Sequence, residues 1–145
     1  MELSKIKNIC NLGTGTMGFG TALLFAKCGY NVRMFGRSDA SIQRGMKNIK
    51  AALKLYQEND LVKQSEIDEI MGRITGCTTL KDVAKDADFV IESVAEDLEV
   101  KRKTWKEMED YVRPDVIFAT NTSGLSPTEI SSVLTHKDRF VVAHF

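Results

Sequence analysis

Short apolar runs of strand length alternate along this chain with longer stretches in which apolar residues recur every three or four positions. Ile6 to Leu12 predicts a first strand. Thr16 to Cys28 carries Met17, Ala22, Leu23, Phe25 and Ala26 at helical spacing, Gly29 is placed to end that helix, and Asn31 to Phe35 predicts a second strand. From Ser38 a long helix shows Ile42, Met46, Ile49, Leu53 and Tyr56 on one stripe, with Lys47, Lys50 and Lys54 largely off it, until Asn59-Asp60 breaks the pattern. Ser65 can cap a second helix with Ile67, Ile70 and Met71, which Gly72 ends. Ile74 to Thr78 predicts a short strand, Leu80 to Asp86 a helical turn, and Asp88 to Val94 a buried parallel strand. A helix with Leu98, Lys101, Trp105, Met108 and Val112 follows, and Pro114 lies just beyond its end. Val116 to Thr120 is the next strand. Ser126-Pro127-Thr128-Glu129 has the form of a capping box with proline at the first helical position and predicts a helix through Leu134, before a last strand from Arg139 to Phe145.

This order predicts an α/β fold of the Rossmann type: a doubly wound, mainly parallel sheet with helices on both faces and a helical pair inserted after the second strand. The inserted pair has two readings, an arm over a substrate whose lysines draw phosphates, or a solvated basic face. Asn11 is out of place in a central parallel strand, because a buried amide needs partners and the pattern names none.

Between the first strand and the first helix runs Gly13-Thr14-Gly15-Thr16-Met17-Gly18, a G-x-G-x-x-G spacing. In a βαβ unit that spacing has a mechanism. Gly13 permits the tight turn, Gly15 lets the backbone approach a pyrophosphate, and Gly18 lets the helix pack closely. Thr16 and Met17 lie in the first helical turn, whose free N–H groups and partial positive charge suit phosphates. Residues 1–145 are therefore expected to form one dinucleotide-binding domain. Folds selective for NAD place an Asp or Glu about twenty residues beyond the glycines, for the adenosine ribose hydroxyls. Here that position holds Gly36, followed by Arg37 and Ser38. A carboxylate repels a 2′-phosphate and a guanidinium forms two parallel bonds to it, so the pattern points to NAD(P) with NADP(H) preferred over NAD(H). In the plainer reading Arg37 is a solvated loop residue and Ser38 only a helix cap. Ligands of open α/β sheets meet the loops at the carboxyl ends of the strands. That edge gathers the glycine turn, Arg37, Ala95, Glu96, Asn121, Ser123 and His144.

Composition removes other classes of function. Among 145 residues, 20 Lys and Arg balance 20 Asp and Glu, so bulk charge suggests neither a nucleic-acid nor a membrane partner. No apolar run approaches a membrane span, and Met1-Glu2-Leu3-Ser4-Lys5 lacks the apolar core of a secretory signal, so a cytoplasmic location is expected. Cys10, Cys28 and Cys77 are odd in number, far apart and mostly in apolar surroundings, and read as buried free thiols. His136 and His144 have no ligand spacing with them, so no metal is expected.

Several segments together carry a resemblance: Gly-Thr-Gly-Thr-Met-Gly at 13–18, Ala-Lys-Cys-Gly-Tyr at 26–30, Arg-Ile-Thr-Gly at 73–76, Val-Ile-Glu-Ser-Val-Ala-Glu-Asp-Leu at 90–98, Thr-Asn-Thr-Ser at 120–123, then Asp-Arg-Phe and Ala-His-Phe near the end. With them the sequence resembles the N-terminal domain of the 3-hydroxyacyl-CoA dehydrogenase family, especially bacterial 3-hydroxybutyryl-CoA dehydrogenases. The resemblance implies an oxidoreductase that moves a hydride between a nicotinamide cofactor and C3 of a short 3-hydroxyacyl-CoA or 3-oxoacyl-CoA, in fatty-acid or butyrate metabolism. It implies that His144 matches the catalytic histidine, Ser123 the serine bonding the substrate oxygen, and Asn121 a partner near nicotinamide and substrate. Glu96 and Lys101 match contacts to the nicotinamide-side ribose. Two departures stand out: most relatives have Asp where this chain has Gly36, and a second Ser where it has Gly124.

The chemistry asks for these residue types as well. Taking a hydride from a carbon that bears a hydroxyl requires a base for the hydroxyl proton, and histidine titrates near working pH. A hydroxyl such as that of Ser123 can hold the oxygen as charge develops. Without the resemblance, His144 reads as a strand-end residue, and Asn121 and Ser123 as loop residues that satisfy local backbone groups. In the family a Glu shortly beyond the histidine orients it, and a helical domain closes the substrate pocket and forms the dimer. Neither falls within residues 1–145. The alternative to an acyl-CoA dehydrogenase is therefore a catalytically incomplete NAD(P)-binding fragment with no turnover, which self-associates through apolar surface the second domain would cover.

Overall fold

Six parallel strands form one sheet in the order β3-β2-β1-β4-β5-β6, where β1 is Asn8–Leu12, β2 Asn31–Phe35, β3 Ile74–Cys77, β4 Phe89–Glu92, β5 Ile117–Thr120 and β6 Phe140–Val142. The structure, a computed structural model, describes residues 3–145; Met1 and Glu2, on which the expected lack of a secretory signal partly rests, lie outside the described residues. The helices are α1 (Thr16–Lys27), α2 (Asp39–Glu58), α3 (Gln64–Gly72), α4 (Leu80–Ala84), α5 (Leu98–Glu109) and α6 (Pro127–Ser131). The strand order reverses between β1 and β4, which creates the crevice at which ligands of doubly wound sheets bind. Among the described residues no helix is long and apolar enough to cross a membrane.

Alternation along the strands divides the core into two layers. Ile9, Val32, Met34, Ile91 and Ala119 face α1, α2 and α3, where Ala22, Ala26, Ile49, Leu53 and Ile70 meet them. Cys10, Leu12, Val90 and Phe118 face the other way, onto Val83, Trp105, Met108 and Ile130 of α4, α5 and α6. The inserted pair is thus a packed layer against α1. Lys47, Lys50 and Lys54 are exposed, and Lys27 lies 5.1 Å over the Tyr56 ring.

Asn11 finds its partners in the glycine turn and on α1. Its Nδ2 donates to the carbonyls of Gly13 and Gly18, each at 3.0 Å, and its Oδ1 accepts from Thr21 Oγ1 at 2.7 Å. Asn11 and Thr21 are 1% and 3% exposed, so this small network fully satisfies the buried amide and fastens the glycine turn to its helix.

Some expected boundaries move, each for a local reason. Ser65 does not cap α3; the cap is Lys63 and the helix starts two residues earlier than expected, because the Glu66 carboxylate accepts the Lys63 N–H at 2.7 Å. α5 ends at Glu109, so Val112 packs on the core from beyond the helix. Ser126 caps α6 as expected, but the helix stops at Ser131 rather than Leu134: the Ser131 and Ser132 hydroxyls donate to the carbonyls of Thr128 and Glu129 and compete with the backbone. β6 is only Phe140–Val142. Arg139 lies in a 3-10 turn before it, and β6 runs out with its neighbour β5, the Ala143 N–H giving the last rung to Thr120 O at 3.0 Å. All three cysteines are free thiols, yet Cys28, at the end of α1, is exposed rather than buried. Burial pushes the Cys10 and Cys77 thiols up.

Candidate functional site

The glycine turn leaves β1 at the crevice. Gly13 has φ +125°, a backbone conformation that favours glycine, and a Cβ there would stand 2.5 Å from the Ser93 carbonyl oxygen. A Cβ on Gly18 would collide with the carbonyl of Gly13, so both glycines are required by the close approach of β1, α1 and the chain leaving β4. Gly15 differs. It is exposed, has an ordinary extended conformation, and nothing lies within 4 Å of a Cβ built on it. As the N-cap of α1 it has no side chain to offer, and the first turn holds no acidic residue. The leading N–H groups of α1, at Thr16, Met17 and Gly18, therefore open onto the crevice without an intrahelical partner.

Beside this turn lies the end of β2. Gly36 is buried, and a Cβ there would meet Ser41 Oγ at 2.5 Å, Ile42 Cγ1 at 2.9 Å and Thr14 Cγ2 at 3.1 Å. The start of α2 is pressed onto the strand ends, and an aspartate at 36 fits only if Ser41 and Ile42 turn away. Arg37 is exposed and forms no hydrogen bond or ion pair among the described residues. Ser38 and Ser41 cap each other: the Ser41 N–H donates to Ser38 Oγ at 3.3 Å and the Ser38 N–H to Ser41 Oγ at 3.2 Å. Serine at this third position leaves out the carboxylate of the usual capping box, although Asp39 is acidic in the same turn.

Across the crevice, the chain segments leaving β4, β5 and β6 are bound together. Asn121 Nδ2 donates to Ser93 Oγ at 3.2 Å, and its Oδ1 accepts the Phe145 N–H at 2.9 Å, which tethers the segment carrying His144 beside Asn121. Ser123, two residues on, is exposed, and so is His144, which makes no hydrogen bond or ion pair among the described residues. Ala95 is exposed next to Glu96. Glu96 joins the two loops: its carboxylate accepts from Thr122 Oγ1 and lies 3.1 Å from Lys101 Nζ. Burial acts to raise the Glu96 pKa, but the Thr122 hydroxyl, the Lys101 ammonium and the Gly124 N–H outweigh it and hold the carboxyl below its ordinary value. Lys101 is only 1% exposed, and its ammonium is engaged by Glu92 at 2.6 Å as well as by Glu96.

The pattern of the sequence missed Glu92, Thr120 and Thr122, all buried at this edge. A signal was present: a glutamate interrupts an apolar strand, and a lysine occupies the apolar stripe of α5. A separate polar cleft of about 210 Å³, lined by Asn8, Asn31, Arg33, Arg73 and Lys85 among others, lies at the opposite, amino-terminal edge of the sheet and takes in none of these residues.

The edge fits an extended diphosphate with a group on each side: an open glycine, uncapped helical N–H groups, and polar side chains to both left and right of the strand reversal. Comparison with known proteins agrees. Residues 8–145 match the family described as 3-hydroxyacyl-CoA dehydrogenase, NAD binding domain. A 3-hydroxybutyryl-CoA dehydrogenase of Clostridioides difficile is 34% identical over 92% of this chain and 47% of its own length. The human mitochondrial hydroxyacyl-coenzyme A dehydrogenase is 30% identical over 97% of the chain and 46% of its own. The crystal structure of (S)-3-hydroxybutyryl-CoA dehydrogenase from Ralstonia eutropha superposes with a TM-score of 0.93 at 33% identity, covering 97% of this chain and 50% of that one. The chain spans about half the length of these relatives. Fold, glycine turn and sequence match together place it in the 3-hydroxyacyl-CoA dehydrogenase family, as its NAD-binding domain.

Proposed function

We propose that this chain is the cofactor-binding half of an oxidoreductase that transfers a hydride between a nicotinamide dinucleotide and C3 of a short 3-hydroxyacyl-CoA or 3-oxoacyl-CoA. The acetoacetyl-CoA and 3-hydroxybutyryl-CoA pair is the substrate proposed, in fatty-acid or butyrate metabolism. The reading is carried by one observation: the Asn121 bond to the Phe145 N–H brings the His144 segment and the loop of Ser123 to the crevice that the glycine turn also faces. In this assignment Gly13, Gly15, Thr16, Met17 and Gly18 cradle the pyrophosphate, and Gly36, Arg37 and Ser38 face the adenosine ribose. Ala95, Glu96, Lys101 and Asn121 border the nicotinamide side. The bound dinucleotide supplies the hydride donor or acceptor. His144 takes or returns the hydroxyl proton, and Ser123 holds the substrate oxygen as charge develops on it.

His144 is exposed and has no carboxylate partner among the described residues, so nothing fixes its ring for proton transfer. Residues 1–145 alone are expected to bind cofactor without turning over acetoacetyl-CoA. Acetoacetyl-CoA-dependent oxidation of NADPH measures this, and robust reduction by the 145-residue chain would sink the fragment reading while upholding the substrate. The exposed apolar side chains of Val141, Val142 and Phe145, on the outer strand and just beyond it, support self-association. Sedimentation should show a dimer or larger species growing with concentration; a monomer throughout rejects it.

NADP(H) is the preferred cofactor in this account. Gly36 removes the carboxylate that would repel a 2′-phosphate, and Arg37, beside the start of α2, is unpaired among the described residues. One charge-assisted bond of about 1.5–3 kcal/mol corresponds to roughly a ten- to hundredfold preference. Arg37→Ala should abolish that preference and leave NADH binding unchanged. Gly36→Asp is a poorer probe, because it must displace Ser41 and Ile42. Equal weakening of both cofactors by Arg37→Ala would return Arg37 to the status of a solvated loop residue.

A further inference from the structure

Glu92, the last residue of β4, is a carboxylate at zero exposure. Its Oε1 accepts from Lys101 Nζ at 2.6 Å and from the Val94 N–H at 2.8 Å, and its Oε2 accepts from Thr120 Oγ1 at 2.7 Å. Its backbone carbonyl takes the Asn121 N–H at 2.8 Å. One residue therefore gathers the chain leaving β4, the helix α5, the end of β5 and the loop after it. A buried ion pair is a weak device for stability, since well-packed apolar residues serve as well, so its presence at a ligand edge points to placement. The network continues outward. Lys101 passes from Glu92 to Glu96 Oε2 at 3.1 Å, Glu96 accepts from Thr122 Oγ1, and Thr122 Oγ1 accepts the Leu125 N–H at 3.1 Å. Glu96, with its side chain 45% exposed, is the end that faces out.

We propose that Glu92 is a positioning residue for the nicotinamide half of the dinucleotide: it anchors Lys101, and through Lys101 it sets the Glu96 carboxylate and the two loops that follow β4 and β5. The inference rests on the dinucleotide reading above. A ligand straddling the reversal between β1 and β4 keeps its adenosine half on the β2 side, where Gly36 and Arg37 lie, and its other half on the β4 and β5 side. No bond of the Glu92 network reaches Arg37 or the start of α2, so a defect at Glu92 should be felt by one half of the ligand only.

Binding of NADPH and of adenosine 5′-diphosphate, which carries the adenosine half alone, separates the two halves. Glu92→Gln keeps the shape of the side chain and removes its charge. The full chain bearing it should bind NADPH about tenfold more weakly or worse, with its affinity for adenosine 5′-diphosphate unchanged. A purely structural role would lower both affinities together, in step with the melting temperature, and that result overturns the proposal. So does an unchanged ratio of the two affinities. If Glu92→Gln does not fold, Thr120→Val carries the test, since it removes one hydrogen bond to Glu92 and keeps shape and charge; a few-fold shift of the same ratio is expected, and no shift overturns the proposal. A wild-type chain that binds neither nucleotide overturns the dinucleotide reading and this inference together, whereas wild-type binding of both with Glu92→Gln indistinguishable from it overturns this inference alone.

Discussion

Replacing Gly15 with alanine should leave the chain folded and weaken its binding of NADH and NADPH by about a hundredfold or more. Two charge-assisted hydrogen bonds, at about 1.5–3 kcal/mol each, are enough for that loss when a methyl group holds the pyrophosphate off the helix N-terminus. The fold has no objection to the methyl: Gly15 has φ −68° and ψ −172°, open to any residue, and no atom lies within 4 Å of the new Cβ. The change in stability should stay within about 1 kcal/mol, as the poorer N-cap and the stiffer unfolded chain offset each other. Gly13→Ala and Gly18→Ala should behave in the opposite way. At Gly13 the φ of +125° adds backbone strain to a 2.5 Å approach to the Ser93 carbonyl, and at Gly18 the obstacle is the Gly13 backbone itself. Either is expected to cost about 3 kcal/mol or more, read by urea denaturation. Three glycines of one motif thus divide into two that the fold requires and one that it does not. Wild-type affinity in Gly15→Ala would place the phosphates elsewhere.

Arg139→Met is expected to be the most damaging single change away from that turn. Arg139 is 7% exposed; its Nη1 donates to Arg113 O at 2.7 Å, its Nη2 to Glu109 Oε1 at 3.4 Å, and its guanidinium lies 4.1 Å over the Phe118 ring. Glu109 also accepts the N–H groups of Thr135 and His136, at 2.8 and 2.9 Å, and so ties the end of α5 to the chain that enters β6. Removing the guanidinium takes one of three partners from the part-buried Glu109 carboxylate and the side-chain donor from the Arg113 and Val116 carbonyls, with an expected loss of about 1.5–3 kcal/mol in unfolding free energy. The pH dependence has a definite sign. Burial acts to raise the Glu109 pKa, but the N–H groups of Thr135 and His136 together with Arg139 hold it below the ordinary 4.5. A carboxyl depressed in the folded state contributes stability above its unfolded value and loses it as pH falls through the folded one. The gap between wild type and Arg139→Met should therefore narrow below about pH 4.5. A constant gap down to acid unfolding would mean that Arg139 acts through packing on Phe118 alone.

Most of the fold was legible in the sequence, because the strands are near-continuous apolar runs and α2 and α5 carry clear apolar stripes. The glycine turn was legible too, since Gly13 and Gly18 answer to steric demands that no other residue meets. What escaped was polar and tertiary. Asn11 and Thr21 each look like a flaw in an apolar face, and only the packing of α1 on β1 shows that each satisfies the other. Glu92 and Lys101 sit nine positions apart on a strand and a helix, so their pairing depends on the crossover that brings α5 back over β4. The shortening of α6 was hidden for another reason: a serine hydroxyl can extend a helix surface or take its backbone acceptors, and Ser132 does the latter. The last strand was expected from Arg139 to Phe145 and is shorter, because the apolar run does not show where pairing with β5 begins and ends, and Val141 and Val142 lie exposed on this outer strand.

Isothermal titration of the 145-residue chain with NADPH and NADH, in the presence and absence of adenosine 5′-diphosphate, tests the central claim most directly. One dinucleotide should bind per chain, displaced competitively by adenosine 5′-diphosphate, with NADPH the tighter of the two by roughly ten- to hundredfold at moderate salt. Absence of binding by both cofactors at millimolar concentration, to a chain whose circular dichroism is that of a folded α/β protein, would contradict it.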